Sequence, residues 1–314
     1  MTIHAIFGPT ASSKTRLAFT LSQQFSAPLI SVDSRKVYKD MNIGTNKQEL
    51  LDLAKKLKVD VYGTDLFSPT ETTSAAEYRN RVTEQISHLV SDNIILFGGT
   101  GLYLDGLLFG LPFRNKSEDR ASLNILTVAQ LQEKLQAIAR QAFQNLNESD
   151  RVNPRRLIRA IEKEMIEDNP ALTAYEQQWA EKVKQSDVIL YLPAIEREIL
   201  YERIESRLSR YFEEGWIEEI IVLARKYGKT APGMQIMGYK TILSSGVLQS
   251  DTLPSPELLE ALFIEHRQYA KRQLTWAKRY IRPLEDVYPE IGWKSRSIKI
   301  KQYSLGGVIQ TDET

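Results

Sequence analysis

The sequence contains no cysteine and only three histidines in 314 residues. Without cysteine the chain has neither a disulfide framework nor a cysteine-ligated zinc site, and it suits a reducing cytosol. The histidines, His4, His88 and His266, are scattered and show no spacing typical of metal ligands or of a Ser/His/Asp triad. These absences exclude a disulfide-rich secreted protein and leave no evident zinc site.

The chain also lacks a hydrophobic run near the roughly 20 residues that span a bilayer, and its net charge is only +1. No basic or apolar leader precedes the first strand-like run at Ile3–Phe7. Hydrophobic residues make up 42% and charged residues 26%, as in ordinary globular proteins with one large core or two modest ones. We therefore expect a cytoplasmic protein that does not enter a membrane. The net charge neither favours nor excludes a nucleic-acid ligand.

Five short apolar runs have the length and continuity of buried parallel strands. They are Ile3–Phe7, Pro28–Val32, Val59–Tyr62, Asn93–Phe97 and Val188–Leu192. Helical patterns separate them, and this alternation predicts an α/β fold with a parallel sheet flanked by helices. Glycines and polar residues follow the first, second and fourth runs, at the edge of the sheet where open α/β proteins bind ligands.

A stretch of about 76 residues interrupts this alternation, because it contains strong helical patterns and little strand signal. Its patterns cover Val128–Asn145, Pro154–Ile166 and Leu172–Lys184. We interpret residues 111–186 as an all-helical insertion domain. Residues 1–110 then form the first part of the α/β core, and residues 187–314 return to it with basic C-terminal helices. Within that return we expect helices at about 196–227 and 256–280.

The loop after the first run reads Gly8-Pro9-Thr10-Ala11-Ser12-Ser13-Lys14-Thr15. It lies between a strand and a helix, as a phosphate-binding loop requires. Amides at the helix start and the Lys14 ammonium would face an anion, and Thr15 could ligate a Mg²⁺ bound to it. Ser13 stands where the signature has glycine, at a cost of about 1–2 kcal/mol if the loop needs a left-handed backbone. The alternative is a solvated Ser/Thr-rich turn.

Asp33 follows the second run, within Ser31–Tyr38. A carboxylate there would lie near the phosphate-binding loop and could bind Mg²⁺ or act as a general base, but it could equally cap a turn or helix. The three glycines within Gly98–Gly101 would let the backbone approach a ligand closely. Many strand-to-helix turns are glycine-rich, so this loop alone is a weak signal.

Two groups of basic residues suggest a nucleic-acid ligand. Arg155 and Arg159 share a helix face; they could contact phosphates, or form a solvated face with Glu162 and Glu164. Residues 267–301 carry ten Lys/Arg against three acidic residues, with aromatic residues interleaved. That combination is typical of phosphate contacts and base stacking, and an ordinary basic surface is the alternative.

In order along the chain, these motifs resemble the tRNA dimethylallyltransferase family, also called tRNA isopentenyltransferases, of bacterial type. The similarity runs through most of the sequence, and two stretches are especially specific: Gly98-Gly99-Thr100-Gly101-Leu102-Tyr103 and Tyr269-Ala270-Lys271-Arg272-Gln273-Leu274-Thr275-Trp276. The other similar stretches are Gly8–Thr15, Ser31–Arg35 with Val37-Tyr38, Asn42–Thr45, Arg155–Glu162, and Gln235 with Gly238-Tyr239-Lys240.

The resemblance implies a P-loop NTPase-like core with an inserted helical domain that binds the anticodon stem-loop of tRNA. It implies transfer of a dimethylallyl group from dimethylallyl diphosphate to the exocyclic amine of the adenosine just 3′ of the anticodon. Diphosphate leaves, and a cationic loop with Mg²⁺ as cofactor would stabilise its charge. We expect a monomer, since nothing in the sequence demands an oligomer.

The resemblance also assigns roles by position. Asp33 would take the amine proton, with Thr10 and Arg207 as further catalytic residues; we choose Arg207 over Arg197 and Arg203 as the arginine that reaches the diphosphate. Diphosphate would be bound by Gly8, Pro9, Thr10, Ala11, Ser12, Ser13, Lys14 and Thr15, with Thr15 also on Mg²⁺. Contacts to tRNA, including the extruded adenosine, would come from Asp33, Ser34, Arg35, Lys36, Thr100, Arg155, Arg156, Arg159, Lys271 and Arg272.

Three other functions compete with this interpretation. Prenyl transfer to a free adenine nucleotide would need neither the inserted helices nor the basic C-terminal helix. A P-loop small-molecule kinase would want a phosphoryl-acceptor site and a second carboxylate for Mg²⁺. A non-catalytic RNA-binding relative would have a decayed phosphate-binding loop. The presence of Lys14, Thr15 and Asp33 counts against such decay. Divergence is visible at Ser13, and at Val61–Asp65, where the family has a His-His-Leu-Ile-Asp-like stretch.

Overall fold

The computed structural model describes residues 1–110, 120–165, 172–247, 254–281, 298–304 and 309–310. The chain forms two compact units. The larger unit combines residues 1–111 with 173–314, and the smaller unit is residues 112–172. The chain therefore leaves the larger unit once and returns to it.

A seven-stranded sheet forms the centre of the larger unit. Its strands are β1 Thr2–Phe7, β2 Leu29–Val32, β3 Val61–Tyr62, β4 Asn93–Gly98, β5 Asp187–Pro193, β6 Lys299–Tyr303 and β7 Ile309–Gln310. They lie in the order β3-β2-β4-β1-β5-β6-β7, with β7 antiparallel to β6 and every other pair parallel. The α/β class and the five predicted strands are confirmed, and the two C-terminal strands β6 and β7 are additional.

Thirteen α-helices lie in the described part of the chain. They are α1 Lys14–Phe25, α2 Lys47–Leu57, α3 Ala75–Gln85, α4 Gly101–Leu108, α5 Arg120–Asn124, α6 Val128–Asn145, α7 Glu148–Arg151, α8 Pro154–Met165, α9 Ala174–Lys184, α10 Arg197–Glu213, α11 Trp216–Tyr227, α12 Tyr239–Ser244 and α13 Pro256–Ala277. The single helix expected at about 196–227 is two helices, because Gly215 adopts φ 91° between α10 and α11. Among the described residues, no helix has both the length and the apolar character needed to cross a membrane.

The register of the central strands brings three loops to one edge of the sheet. Strand β1 is buried on both faces, which explains its uninterrupted apolar sequence. Phe7 at the end of β1 pairs with Gly98 at the end of β4, and Gly98 also pairs with Val32 at the end of β2. The chain segments that follow these three strands therefore start side by side.

The smaller unit has its own apolar core. Leu131 and Leu135 of α6 are buried with Leu157, Ile158 and Ile161 of α8. On α6 the buried positions are four residues apart, and on α8 Ile161 lies four residues after Leu157 and three after Ile158, so each helix presents one apolar stripe. Both helices lie within residues 111–186, the stretch predicted to be an all-helical insertion.

The smaller unit ends before α9, so it is shorter than the predicted insertion of 111–186. Helix α9 belongs to the larger unit because its side chains are held there. Trp179 Nε1 donates a hydrogen bond of 2.9 Å to the Leu107 carbonyl, and Arg79 pairs with Glu176 at 2.7 Å. Helical periodicity alone does not distinguish an inserted helix from one that packs on the sheet.

Candidate active site

Three loops at the carboxyl edge of the sheet surround one cavity. We call Gly8–Thr15 the phosphate loop, Asp33–Tyr38 the aspartate loop and Gly98–Gly101 the glycine loop. The cavity is lined by Thr10, Lys14, Thr15, Ser31, Asp33, Arg35, Lys36, Thr45, Asn46, Phe97, Gly98, Arg207, Tyr211 and Gln273. Four of these side chains are cationic and one is a carboxylate, so the cavity is suited to an anionic ligand.

The phosphate loop contains two non-glycine residues in the left-handed region, Ala11 with φ 62° and Ser13 with φ 65°. Each costs about 1–2 kcal/mol relative to a relaxed backbone. Arg203 of α10 contacts both: its Nε donates to the Ala11 carbonyl at 2.9 Å and its Nη2 donates to the Ser13 hydroxyl at 3.0 Å. The serine that replaces glycine is thus tied to an arginine of a distant helix.

Lys14 lies inside the phosphate loop. Its Nζ donates a hydrogen bond of 2.6 Å to the Pro9 carbonyl. Burial lowers the pKa of Lys14 to about 7, against the opposing pull of the Asp33 charge. An anion in the cavity would stabilise the protonated ammonium, so a phosphate ligand and the Lys14 charge favour each other.

Arg207 is the one arginine of the three considered on α10 that lines the cavity. Its Nη1 donates to the Thr10 hydroxyl at 3.3 Å. Arg203 holds the loop backbone, as described above. Arg197 lies elsewhere and lines a separate pocket, as Lys271 does. The structure thus places Thr10 and Arg207 together at the cavity, and Arg197 outside it.

Asp33 is buried at the end of β2, and its Oδ1 accepts a hydrogen bond of 2.9 Å from the Arg35 N–H. Its carboxylate also lies 3.9 Å from Arg35 Nε. Burial alone would raise the pKa of Asp33, but the charges of Arg35 and Lys36 outweigh it, and the pKa lies below the usual range. Asp33 is therefore an anion at neutral pH.

Lys36 is also buried, and its ammonium donates to the carbonyls of Thr45, at 2.6 Å, and Asn46. Burial lowers the pKa of Lys36 to about 7. The chain just before Thr45 is fixed from α11, because Glu219 accepts hydrogen bonds from the N–H groups of Asn42, at 2.7 Å, and Ile43, at 2.8 Å. A helix remote in sequence thus sets this wall of the cavity.

The glycine loop is joined directly to the aspartate loop. The Ser34 N–H donates to the Thr100 hydroxyl at 2.9 Å, and the Thr100 N–H donates to the Val32 carbonyl at 3.2 Å. Thr100 also precedes α4 as its N-terminal cap residue. Ser34 and Thr100, both expected to contact the acceptor, therefore lie against each other.

Helix α13 covers the loops from the other side. The Arg35 guanidinium carbon lies 5.0 Å from the centre of the Tyr269 ring, and Gln273 reaches the cavity wall. Sequence reasoning gave Gln273 no role, although it stands inside one of the two most specific motifs. Lys271 and Arg272 are exposed on the same helix and do not line the cavity.

The remaining predicted RNA contacts lie on α8 of the smaller unit. Arg155, Arg156 and Arg159 are all exposed there. Arg156 Nε lies 3.6 Å from Asp150, and Arg159 Nη1 lies 3.3 Å from Glu162. All three arginine side chains are exposed to solvent, so they stay accessible to an RNA phosphate.

The described residues that line the cavity offer few carboxylate ligands for a Mg²⁺ ion. Within the described ranges, no group of three or more His, Asp or Glu is arranged to hold a metal ion. Thr15 lines the cavity, and Asp33 is the carboxylate that lines it. Mg²⁺ commonly takes one or two protein oxygens and completes its shell with phosphate oxygens and water. The residues fit a Mg²⁺ that enters with a diphosphate.

The chain is similar to known proteins over most of its length. Residues 36–280 match the IPP transferase family. A tRNA dimethylallyltransferase of Acetivibrio thermocellus is 33% identical over 297 residues, covering 90% of this chain and 89% of the relative. One from Trichodesmium erythraeum is 31% identical over 301 residues, covering 93% and 91%. The solved tRNA delta(2)-isopentenylpyrophosphate transferase of Staphylococcus epidermidis superposes with a TM-score of 0.59 at 26% identity, covering 97% of this chain and 95% of that one. The chain therefore belongs to the tRNA dimethylallyltransferase family.

Proposed function

We propose that this enzyme transfers a dimethylallyl group from dimethylallyl diphosphate to tRNA. The acceptor is the exocyclic amine of the adenosine immediately 3′ of the anticodon, and diphosphate is released. Family membership supports the reaction class, since the relatives are named as tRNA dimethylallyltransferases. The observation that carries the proposal is one carboxylate, Asp33, beside four basic side chains among the described residues that line the cavity.

The cations serve the leaving group. Cleavage of the carbon–oxygen bond leaves negative charge on diphosphate, and pre-placed cations stabilise that charge as it develops. Lys14, Arg207 and Thr10 all line the cavity, and the Thr10 hydroxyl accepts a hydrogen bond from Arg207. A Mg²⁺ held by Thr15 would supply further electrostatic stabilisation of the diphosphate.

The carboxylate serves the acceptor. The exocyclic amine of adenine is a poor nucleophile, and it becomes acidic as the new carbon–nitrogen bond forms. Asp33 is already ionised and takes the amine proton at that stage. An adenosine stacked in the anticodon loop cannot reach a buried carboxylate, so the base must be extruded into the cavity. Thr100 and the aspartate loop would contact it there.

The exposed cations bind the rest of the RNA. Arg155, Arg156 and Arg159 on α8, and Lys271 and Arg272 on α13, would pair with backbone phosphates. Because the acceptor is tRNA, we propose that the enzyme acts in the cytoplasm. We also propose that it acts as a monomer.

The choice of acceptor is tested by offering the protein dimethylallyl diphosphate and Mg²⁺ with unmodified tRNA or with free AMP. The proposal expects prenylated adenosine in the tRNA, detected by mass spectrometry of its nucleosides, and unmodified AMP. Prenylated AMP together with unmodified tRNA would show that the acceptor is the free nucleotide and not tRNA. Tight tRNA binding without any product would leave only an RNA-binding function.

A further inference from the structure

Gln273 joins two of the loops around the cavity. Its side chain is buried on α13. Its Oε1 accepts a hydrogen bond of 2.8 Å from the Thr10 N–H of the phosphate loop, and its Nε2 donates one of 2.9 Å to the Gly99 carbonyl of the glycine loop. One planar amide, with an acceptor at one atom and a donor at the other, therefore links both loops.

The junction between Gln273 and Gly99 has no spare room. A Cβ atom added at Gly99 would lie only 2.0 Å from Gln273 Nε2 and 3.0 Å from the Gly8 carbonyl oxygen. Glycine is needed here because it lets the loop backbone approach the amide and the phosphate loop closely. Both hydrogen-bond partners of the Gln273 amide are backbone groups. The two hydrogen bonds therefore fix the positions of the loop backbones themselves.

Helix α13 in turn holds the amide in place. Tyr269, Gln273 and Trp276 are four and three residues apart and share one face of the helix. Tyr269 faces Arg35 of the aspartate loop, and Trp276 Nε1 donates to Asp105 of α4 at 3.1 Å. The Gln273 side chain is thus flanked by contacts that oppose rotation or shift of the helix.

We propose that Gln273 is a positioning residue that sets the distance between the diphosphate donor and the adenosine acceptor. This inference rests on the proposed function, in which the phosphate loop holds the donor and Thr100 of the glycine loop contacts the acceptor. Gln273 contacts neither reacting group in this account. It acts through Thr10 on one side and through the peptide that precedes Thr100 on the other.

Each loop keeps other anchors when Gln273 is lost. The phosphate loop is still held by Arg203 and Arg207. The glycine loop is still held through Thr100, by Val32 and Ser34. Each substrate should therefore still bind, while the alignment between the two reacting atoms is lost. Misplacement of reacting groups by about 1 Å can lower the rate about 100-fold.

The test compares the single-turnover rate of Gln273→Met with its affinities for the two substrates. Methionine keeps the length of the side chain and removes both hydrogen bonds. Gln268→Met, at an exposed glutamine of the same helix, is the matched control. We expect the single-turnover rate of Gln273→Met to fall about 10- to 100-fold. The Kd for tRNA and the KM for dimethylallyl diphosphate should stay within about threefold. The control should match wild type in all three.

Gln273→Glu is the second variant, and it carries the test if the methionine variant does not fold. It retains an acceptor for Thr10 but presents an oxygen to the Gly99 carbonyl, so we expect a comparable loss of rate. An unchanged rate in a folded variant would overturn the proposal, as would a rise in Kd and KM that matches the loss of rate. An inactive wild-type protein would overturn the proposed function itself, and the two failures are thereby distinguished.

Discussion

Arg203 donates a hydrogen bond of 3.0 Å to the Ser13 hydroxyl, across 190 positions of sequence. The serine therefore has a partner at the position where a phosphate-binding loop normally has glycine. Its φ of 65° is one that glycine adopts freely and serine adopts at a cost. Two opposing contributions, backbone strain and a charge-assisted hydrogen bond, meet at this residue.

The first prediction separates these contributions with two variants of Ser13. Ser13→Gly relieves strain of about 1–2 kcal/mol and loses a hydrogen bond of similar size, so the free energy of unfolding should change by less than about 1 kcal/mol. Ser13→Ala keeps the strain and loses the bond, and it should be less stable by about 1–2 kcal/mol. Urea unfolding measures both. Equal stability of the two variants would show that the left-handed backbone carries no strain, and a Ser13→Ala variant as stable as wild type would show that the hydroxyl contributes nothing.

The second prediction concerns Asp33 as the base. Asp33→Asn removes the negative charge while keeping the shape of the side chain, so the single-turnover rate should fall by about 100-fold or more. The Kd for tRNA should be nearly unchanged, because many other contacts hold the RNA. Asp60→Asn, at an exposed aspartate of the larger unit, is the control and should behave as wild type. A full rate in Asp33→Asn would exclude the residue as the base.

The third prediction tests the arginines of α8. If Arg155 contacts a phosphate, Arg155→Ala should weaken tRNA binding and reduce the slope of log Kd against log salt by about 0.7–0.9. Arg140→Ala, at another exposed arginine of the smaller unit, should leave the slope unchanged. Filter binding over a series of salt concentrations gives both slopes. Identical slopes for Arg155→Ala and wild type would show that Arg155 does not contact a phosphate and would leave α8 with a structural role only.

The fourth prediction concerns the buried His266. Its Nδ1 donates to the Leu262 carbonyl at 2.8 Å, and burial lowers its pKa to about 3 from a usual value near 6.5. Below about pH 6.5 the unfolded chain binds a proton that the folded chain does not, so acid favours unfolding. His266 should contribute up to about 1.4 kcal/mol of lost stability per pH unit between about pH 6 and pH 4.

Two histidine variants, compared in the pH dependence of their unfolding free energy, isolate the contribution of His266. His266→Gln should flatten the fall of unfolding free energy with decreasing pH. His88→Gln, at an exposed histidine, should leave the wild-type slope. If the two variants show the same pH dependence, His266 is not held neutral by the fold.

The centre of the sheet was predictable because β1, β2 and β4 are buried on both faces, which leaves continuous apolar runs in the sequence. Strand β6 gave no such run: Lys299 and Lys301 flank Ile300, and four of its five side chains are exposed or half-exposed, so the segment resembles a polar tail. Its last residue, Tyr303, is nevertheless fully buried and contacts the Ser12 hydroxyl of the phosphate loop at 2.9 Å. That contact depends on how the chain returns to the sheet, and the local sequence pattern around Tyr303 does not reveal this.

The site was predictable to the extent that its residues lie in local motifs. The phosphate loop, Asp33 and Thr100 follow strand ends, so parallel topology alone brings them together. The side chains that hold these loops come from helices far away in sequence. Glu219 and Gln273 are examples: a glutamate on a charged helix and a glutamine among lysines look like ordinary surface residues until the fold buries their polar atoms against backbone groups.

The most direct test of the account counts diphosphate released against prenylated adenosine formed in tRNA, with purified protein, dimethylallyl diphosphate, Mg²⁺ and unmodified tRNA. Prenyl transfer predicts equal amounts of the two products, formed only when donor and tRNA are both present. Loss of product in Asp33→Asn would tie that transfer to the cavity. A folded wild-type protein that binds tRNA yet forms no prenylated adenosine would contradict the account.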